Sequence, residues 1–168
     1  MVREIDALGG IMGLAADRSG LQFKILNRSK GKAVWSPRAQ VDKRTYEQYV
    51  NAHLYSSNKI KTVAGEVVSL QIKNNSVEGV LLRGGGKIFA RSVVLTCGTF
   101  LNGLVHVGER KIVAGRMGER GAKGITESLV SLGFSSGRLK TGTPPRLVSR
   151  SINWGKTNIT LGDEKPTP

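Results

Sequence analysis

Residues 66–99 read EVVSLQIKNNSVEGVLLRGGGKIFARSVVLTCGT, and this stretch decides the fold. Val68, Leu70 and Ile72 alternate with polar neighbours over 66–73, the period of a strand with one buried face. Asn74, Asn75 and Ser76 supply turn chemistry, residues 77–83 return, Gly84, Gly85 and Gly86 turn again, and residues 87–90 make a third strand. The pattern predicts an antiparallel meander. Residues 92–96 then change character: Val93, Val94 and Leu95 are consecutive and apolar on both faces, as in a buried parallel strand. The triple glycine falls in a hairpin and not between a strand and a helix, so it reads as a turn and not as a phosphate cradle.

Upstream, Ile5, Leu8, Met12 and Ala15 recur at helical spacing over 4–18, in a helix weakened by Gly9, Gly10 and Gly13. Leu21, Phe23 and Ile25 alternate over 21–26 as a short strand, 27–33 reads as a loop, and Pro37 blocks helix from Ser36. A second helix is expected over 41–55, with Tyr46, Tyr49, Val50, His53 and Leu54 on one face; His53 reads as a partly buried helix histidine. Residues 59–63 suit a further short strand. Downstream, the glycine-rich basic region 103–124 reads as ordered loop, and 125–132 as a helix closed by Gly133. Pro144 and Pro145 keep 138–146 extended, and from Ser149 onward the chain is polar and thinly apolar. The expected division is therefore an α/β region over 1–150 and a polar linker or truncated tail over 151–168.

With 168 residues, 39% of them hydrophobic, the chain can build one ordinary core. Its charge of +14, from 26 Lys and Arg against 12 Asp and Glu, points to a polyanionic partner. Two stretches concentrate the excess. Residues 24–44 hold seven basic residues opposed only by Asp42, and residues 110–150 hold nine opposed by Glu119 and Glu127. The single cysteine, Cys97, excludes an internal disulfide and a multi-cysteine metal site, and no metal is expected. Residues 1–20 lack the apolar run of a signal peptide, and no stretch has the length of a membrane span. A cytoplasmic location is the expectation.

The apolar run 93–95 ending in Thr96-Cys97-Gly98-Thr99, fed by a meander, is an arrangement found in flavin-binding doubly wound domains, where small residues at the strand end lie beside the cofactor, although such a turn by itself is more often merely structural. Five ordered strings make the likeness specific: VREIDALGG over 2–10, LQFKILNRSKG over 21–31, PRAQ over 37–40, VLTCGTFLNG over 94–103 and RLKTGTPPR over 138–146. Together they resemble the MnmG/GidA family across residues 1–150. What the resemblance implies is an α/β piece of a doubly wound, Rossmann-like FAD-binding domain, with its antiparallel meander and part of an inserted α/β substrate domain. It further implies an FAD-dependent enzyme that acts with the GTPase MnmE to add an aminomethyl or carboxymethylaminomethyl group to C5 of the wobble uridine of certain tRNAs. Methylenetetrahydrofolate is the implied one-carbon donor, NADH the reductant and a homodimer the full-length state.

On matching positions the resemblance assigns FAD-proximal roles to Val67, through its main chain, to Thr96, Gly98 and Thr99 at the strand end, and to Ala122, which stands where some members have serine. It makes Lys30, Arg38, Lys140 and Arg146 the candidate tRNA-facing or active-site cations. Lys32 replaces a proline common in the family. Catalytic residues are unassigned: the family's glycine-rich FAD fingerprint and both its functional cysteines have no counterpart here, and Cys97 replaces neither. An internal piece of the enzyme, inactive and without tight FAD binding when alone, is the expectation. The rival is a noncatalytic, basic tRNA-binding module or an inactive gene fragment.

Overall fold

The structure is a computed structural model that describes residues 2–142, 144 and 147–166. The chain divides into two compact units, Met1–Thr62 with Pro145–Pro168, and Val63–Pro144.

In the first unit α1 (Val2–Ala7) and α2 (Met12–Arg18) replace the single helix expected over 4–18. Gly9 and Gly10 break it: their N–H groups turn back onto the Asp6 and Ile5 carbonyls at 2.8 and 2.9 Å. β1 (Gly20–Leu26) and β2 (Ser36–Val41) form an antiparallel ribbon in which Phe23 faces Ala39, Lys24 faces Arg38 and Ile25 faces Pro37. Two 3-10 turns, Arg28–Lys30 and Lys32–Val34, fill the connection. α3 (Lys43–Ser56) starts at Asp42, whose carboxylate accepts the Thr45 N–H at 2.7 Å, an N-cap that holds Asp42 below the usual carboxylate range. Tyr46, Tyr49, Val50 and Leu54 are half-buried as expected, but His53 is exposed. It lies in the last turn of a 14-residue helix that packs on the 7-residue α2, too short to cover that end.

In the second unit β3 (Val67–Lys73), β4 (Ser76–Leu82) and β5 (Lys87–Phe89) form the expected meander, in that order. β4 carries Gly79 where β5 passes so close that a Cβ would strike the Ile88 carbonyl. α4 (Ile125–Ser131) packs on β3, burying Ile125 to 2% exposure and letting Ser128 Oγ accept the Leu70 N–H at 3.1 Å.

Three segments depart from the sequence reading. Residues 59–63 and 92–96 are not strands; Val94 is 83% exposed, because no described strand lies alongside 92–96 to complete a parallel ladder. Within 103–124 the expected loop contains a hairpin, β6 (Leu104–Val107) and β7 (Arg110–Val113), whose four-residue strands are too short for a clear period. The segment after Ser149 is mostly exposed, yet Asp163 ties it to β1.

Buried apolar residues are few: among the described residues only Ala15, Ala114 and Ile125. The chain exposes 14426 Å², against about 9700 Å² for two separate compact units of half its mass. Leu8, Leu21, Phe89, Val94 and Leu139 are each more than 70% exposed, so both units present apolar side chains that a compact monomer would bury.

Candidate functional site

The second unit gathers four of the sequence-predicted positions. Phe100 N–H donates to the Cys97 carbonyl at 3.1 Å, turning the chain just after Thr96 and around Gly98 and Thr99. Thr99 Oγ1 donates to the Gly115 carbonyl at 2.7 Å. Ala122 N–H donates to the Phe100 carbonyl at 2.8 Å, and Asn102 N–H donates back to the Ala122 carbonyl at 2.9 Å. Residues 97–103 and 114–124 are thereby sewn into one double loop. The start of β3 joins it at Gly124, where a Cβ would lie 2.5 Å from the Val68 carbonyl and φ is +111°. Val67, Gly98, Thr99 and Ala122 thus belong to one neighbourhood; Thr96 is exposed beside it.

Charged groups that the sequence reading left aside lock this neighbourhood. Arg83 grips Glu66 bidentately, Nε to Oε2 at 2.6 Å and Nη2 to Oε1 at 2.8 Å, while Arg83 N–H donates to the Glu66 carbonyl at 2.8 Å. The guanidinium brings the Glu66 carboxyl down to about 2. Glu127 accepts from Asn102 Nδ2 at 2.8 Å and from the Gly124 N–H at 2.9 Å, and the Asn102 bond foremost holds its carboxyl low. Asn102 sits at φ +47°, and its carbonyl accepts from Arg138 Nη1 at 3.0 Å. Val68, Leu82, Arg83, Lys123 and Gly124 line one shallow cleft, and Asn102, Gly103, Glu127 and Arg138 line another. The signal for Glu66 and Arg83 was present in the hairpin register, which sets them at the open end of β3 and β4.

The flavin dinucleotide that the sequence resemblance implies can be tested for fit against these residues. Small side chains and main chain at Gly98, Thr99, Ala122 and Gly124 suit the rim of a flat ligand. Its pyrophosphate needs free amides, and a glycine-rich turn between a strand and a helix, 114–124, has already committed five of its own. Gly115 N–H goes to Glu119 O at 3.1 Å, Glu119 N–H to Arg116 O at 2.9 Å, Ala122 N–H to Phe100 O at 2.8 Å, Lys123 N–H to Glu66 Oε1 at 3.4 Å and Gly124 N–H to Glu127 Oε2 at 2.9 Å. These residues do not by themselves make a dinucleotide site.

The candidate cations divide between the units. Lys30 ends the first 3-10 turn and Arg38 lies on β2, both exposed, in the first unit. Lys140 is exposed in the second unit, and Arg146 lies outside the described residues. No described group of His, Cys, Asp and Glu has the arrangement of a metal site. Among the described residues no helix is long and apolar enough to cross a membrane.

The family model described as Glucose inhibited division protein A matches residues 1–168. The chain is 48% identical over 166 residues to the tRNA uridine 5-carboxymethylaminomethyl modification enzyme MnmG of Flavobacterium johnsoniae, covering 99% of this chain and 27% of that protein. The enzyme of the same name from Cytophaga hutchinsonii is also 48% identical, over 167 residues, with the same coverage. GidA of Aquifex aeolicus, in its form II crystal, superposes with a TM-score of 0.86 at 44% identity, over 98% of this chain and 27% of that one. The chain spans about a quarter of the length of the relatives it matches. The α/β meander, the strand-end turn and the ordered strings that carry both loops therefore have one source: the chain belongs to the glucose inhibited division protein A family.

Proposed function

We propose that this chain is part of an FAD-dependent enzyme that modifies tRNA, adding an aminomethyl or carboxymethylaminomethyl group to C5 of the wobble uridine together with a partner GTPase of the MnmE type. The observation that carries the reading is the match to tRNA-modifying MnmG relatives over 99% of the chain at 48% identity. The charge of +14 supports it independently, because phosphate neutralisation dominates RNA affinity.

Within that enzyme the chain supplies the meander and the 97–103 and 114–124 loops at the rim of the flavin, with Val67, Thr96, Gly98, Thr99 and Ala122 nearest it, and the amides for the pyrophosphate come from elsewhere. Lys30, Arg38, Lys140 and Arg146 face the tRNA. FAD supplies redox chemistry when bound, NADH reduces it and methylenetetrahydrofolate provides the carbon. The complete enzyme is a cytoplasmic homodimer, and the chain alone is inactive. Fluorescence anisotropy of labelled tRNA, titrated with this chain across a salt series, tests the RNA-facing part. Binding that weakens steeply with salt supports it; no binding at low salt overturns it.

A further inference from the structure

The outer edge of β1 is covered by the chain's own distal segment. Asp163 N–H donates to the Phe23 carbonyl at 2.8 Å and Ile25 N–H donates to Asp163 Oδ2 at 2.9 Å. Gln22 Nε2 and Lys24 Nζ donate to the Thr160 and Leu161 carbonyls at 3.0 and 3.1 Å. Residues 160–163 thus form a strap along an otherwise open strand edge, and the main-chain contacts are accounted for by edge protection.

Edge protection leaves the charges unexplained. The same Asp163 oxygen accepts from Arg28 Nη2 at 2.7 Å, and the Lys24 ammonium helps hold the carboxylate ionised. An outward backbone N–H and a guanidinium donating to one anion, with the Lys24 ammonium of β1 bound to the neighbouring Leu161 carbonyl, resemble the donor set of a phosphate site. Arg28 is positioned from its other side as well: its guanidinium lies 5.8 Å from the centre of the Trp35 ring, whose Nε1–H donates to the Arg28 carbonyl at 3.3 Å. Arg38, directly across the ladder from Lys24, is in no ion pair among the described residues. Like charges facing across a ladder oppose folding, so an anion bound between them would be stabilising.

We infer that Asp163 stands in for an RNA phosphate, and that the 160–163 strap masks a phosphate-binding site built from Lys24, Arg28 and the Ile25 amide. The inference rests on the tRNA-facing reading of the chain. Lys30 and Arg38, already exposed, make the first encounter, and an incoming phosphate then exchanges for the carboxylate on the same donors.

The test is anisotropy of labelled, unfractionated tRNA with the full 168-residue chain and four variants. Asp163→Asn removes the competing charge while keeping an acceptor for the Ile25 N–H. Gly162→Val displaces the strap by bulk alone, since a Cβ there would lie 2.9 Å from the Phe23 carbonyl and 3.0 Å from Gln22 Cγ. Each should tighten tRNA binding by about threefold to tenfold at low salt and steepen its salt dependence. Arg28→Gln should weaken binding, and the Asp163→Asn gain should vanish in the Asp163→Asn, Arg28→Gln double variant. Unchanged or weaker binding by both strap variants, with wild-type binding intact, overturns the inference alone. No tRNA binding by any of the five proteins overturns it together with the tRNA-facing reading.

Discussion

The Asp163 carboxylate accepts the backbone N–H of Ile25 at 2.9 Å across 138 residues of chain. That N–H therefore points away from β2, and Pro37, paired with Ile25, stands at a non-hydrogen-bonded position of the ladder. A proline there forfeits no ladder bond, which is how an X-Pro dipeptide sits inside a strand. Pro37→Ala is expected to change stability by less than about 1 kcal/mol, through the unfolded chain alone. Arg38→Pro, one residue on, removes a ladder donor and should cost more than about 1 kcal/mol. Urea unfolding of the two variants checks the contrast; equal losses would contradict the register.

The Asp163 contact also marks the limit of what the sequence revealed. Local period and turn chemistry were enough for β1, α3, the β3–β5 meander and α4, because each is specified by neighbours a few residues away. A contact between Ile25 and residue 163 has no local signature, and neither has the bond from Thr99 to Gly115. Residues 92–96 failed in the opposite sense. Val93, Val94 and Leu95 are correctly apolar for a buried strand, but a parallel strand exists only through neighbours, and among the described residues none flanks it. The strings TCGTFLNG and PRAQ identified the family, and the hairpin register already set Glu66 and Arg83 together at the open end of β3 and β4, whereas the Asn102–Glu127 bond became visible only in three dimensions.

Glu66 links acidity to stability. Its folded value of about 2 lies below the ordinary 4.5, so the Arg83 contact contributes in full above pH 4.5 and is lost as pH falls from there toward 2. Partial exposure of both side chains keeps the effect modest. The urea midpoint of the wild-type chain should therefore drop between pH 5 and about 3. In Glu66→Gln that drop should be smaller. An identical pH profile in the two proteins would show that the pair does not hold the open end of β3 and β4 in solution.

Gly124 is the hinge between Lys123 and α4, with φ at +111° and the Val68 carbonyl 2.5 Å from where a Cβ would stand. Gly124→Ala combines backbone strain with a clash against β3 and is expected to cost about 1–3 kcal/mol. Gly137 is the control, since a Cβ there meets nothing within 4 Å. Gly137→Ala should stay within about 0.5 kcal/mol of wild type. Thermal unfolding of both variants distinguishes a strained hinge from a generally glycine-intolerant chain.

The amides of residues 114–124 bear on cofactor retention. Gly115, Glu119, Ala122, Lys123 and Gly124 already donate within the chain, so a pyrophosphate that used these amides would have to break existing bonds to gain new ones. The chain alone should therefore purify without flavin absorbance and should leave the fluorescence of added FAD unquenched. Co-expression with the remaining segments of a matched relative should restore retention if the loops form only the rim of the proposed flavin site. One flavin per chain in the isolated protein would show instead that the turn reorganises around the phosphates, and that the bonds from Lys123 to Glu66 and from Gly124 to Glu127 belong to the cofactor-free state alone.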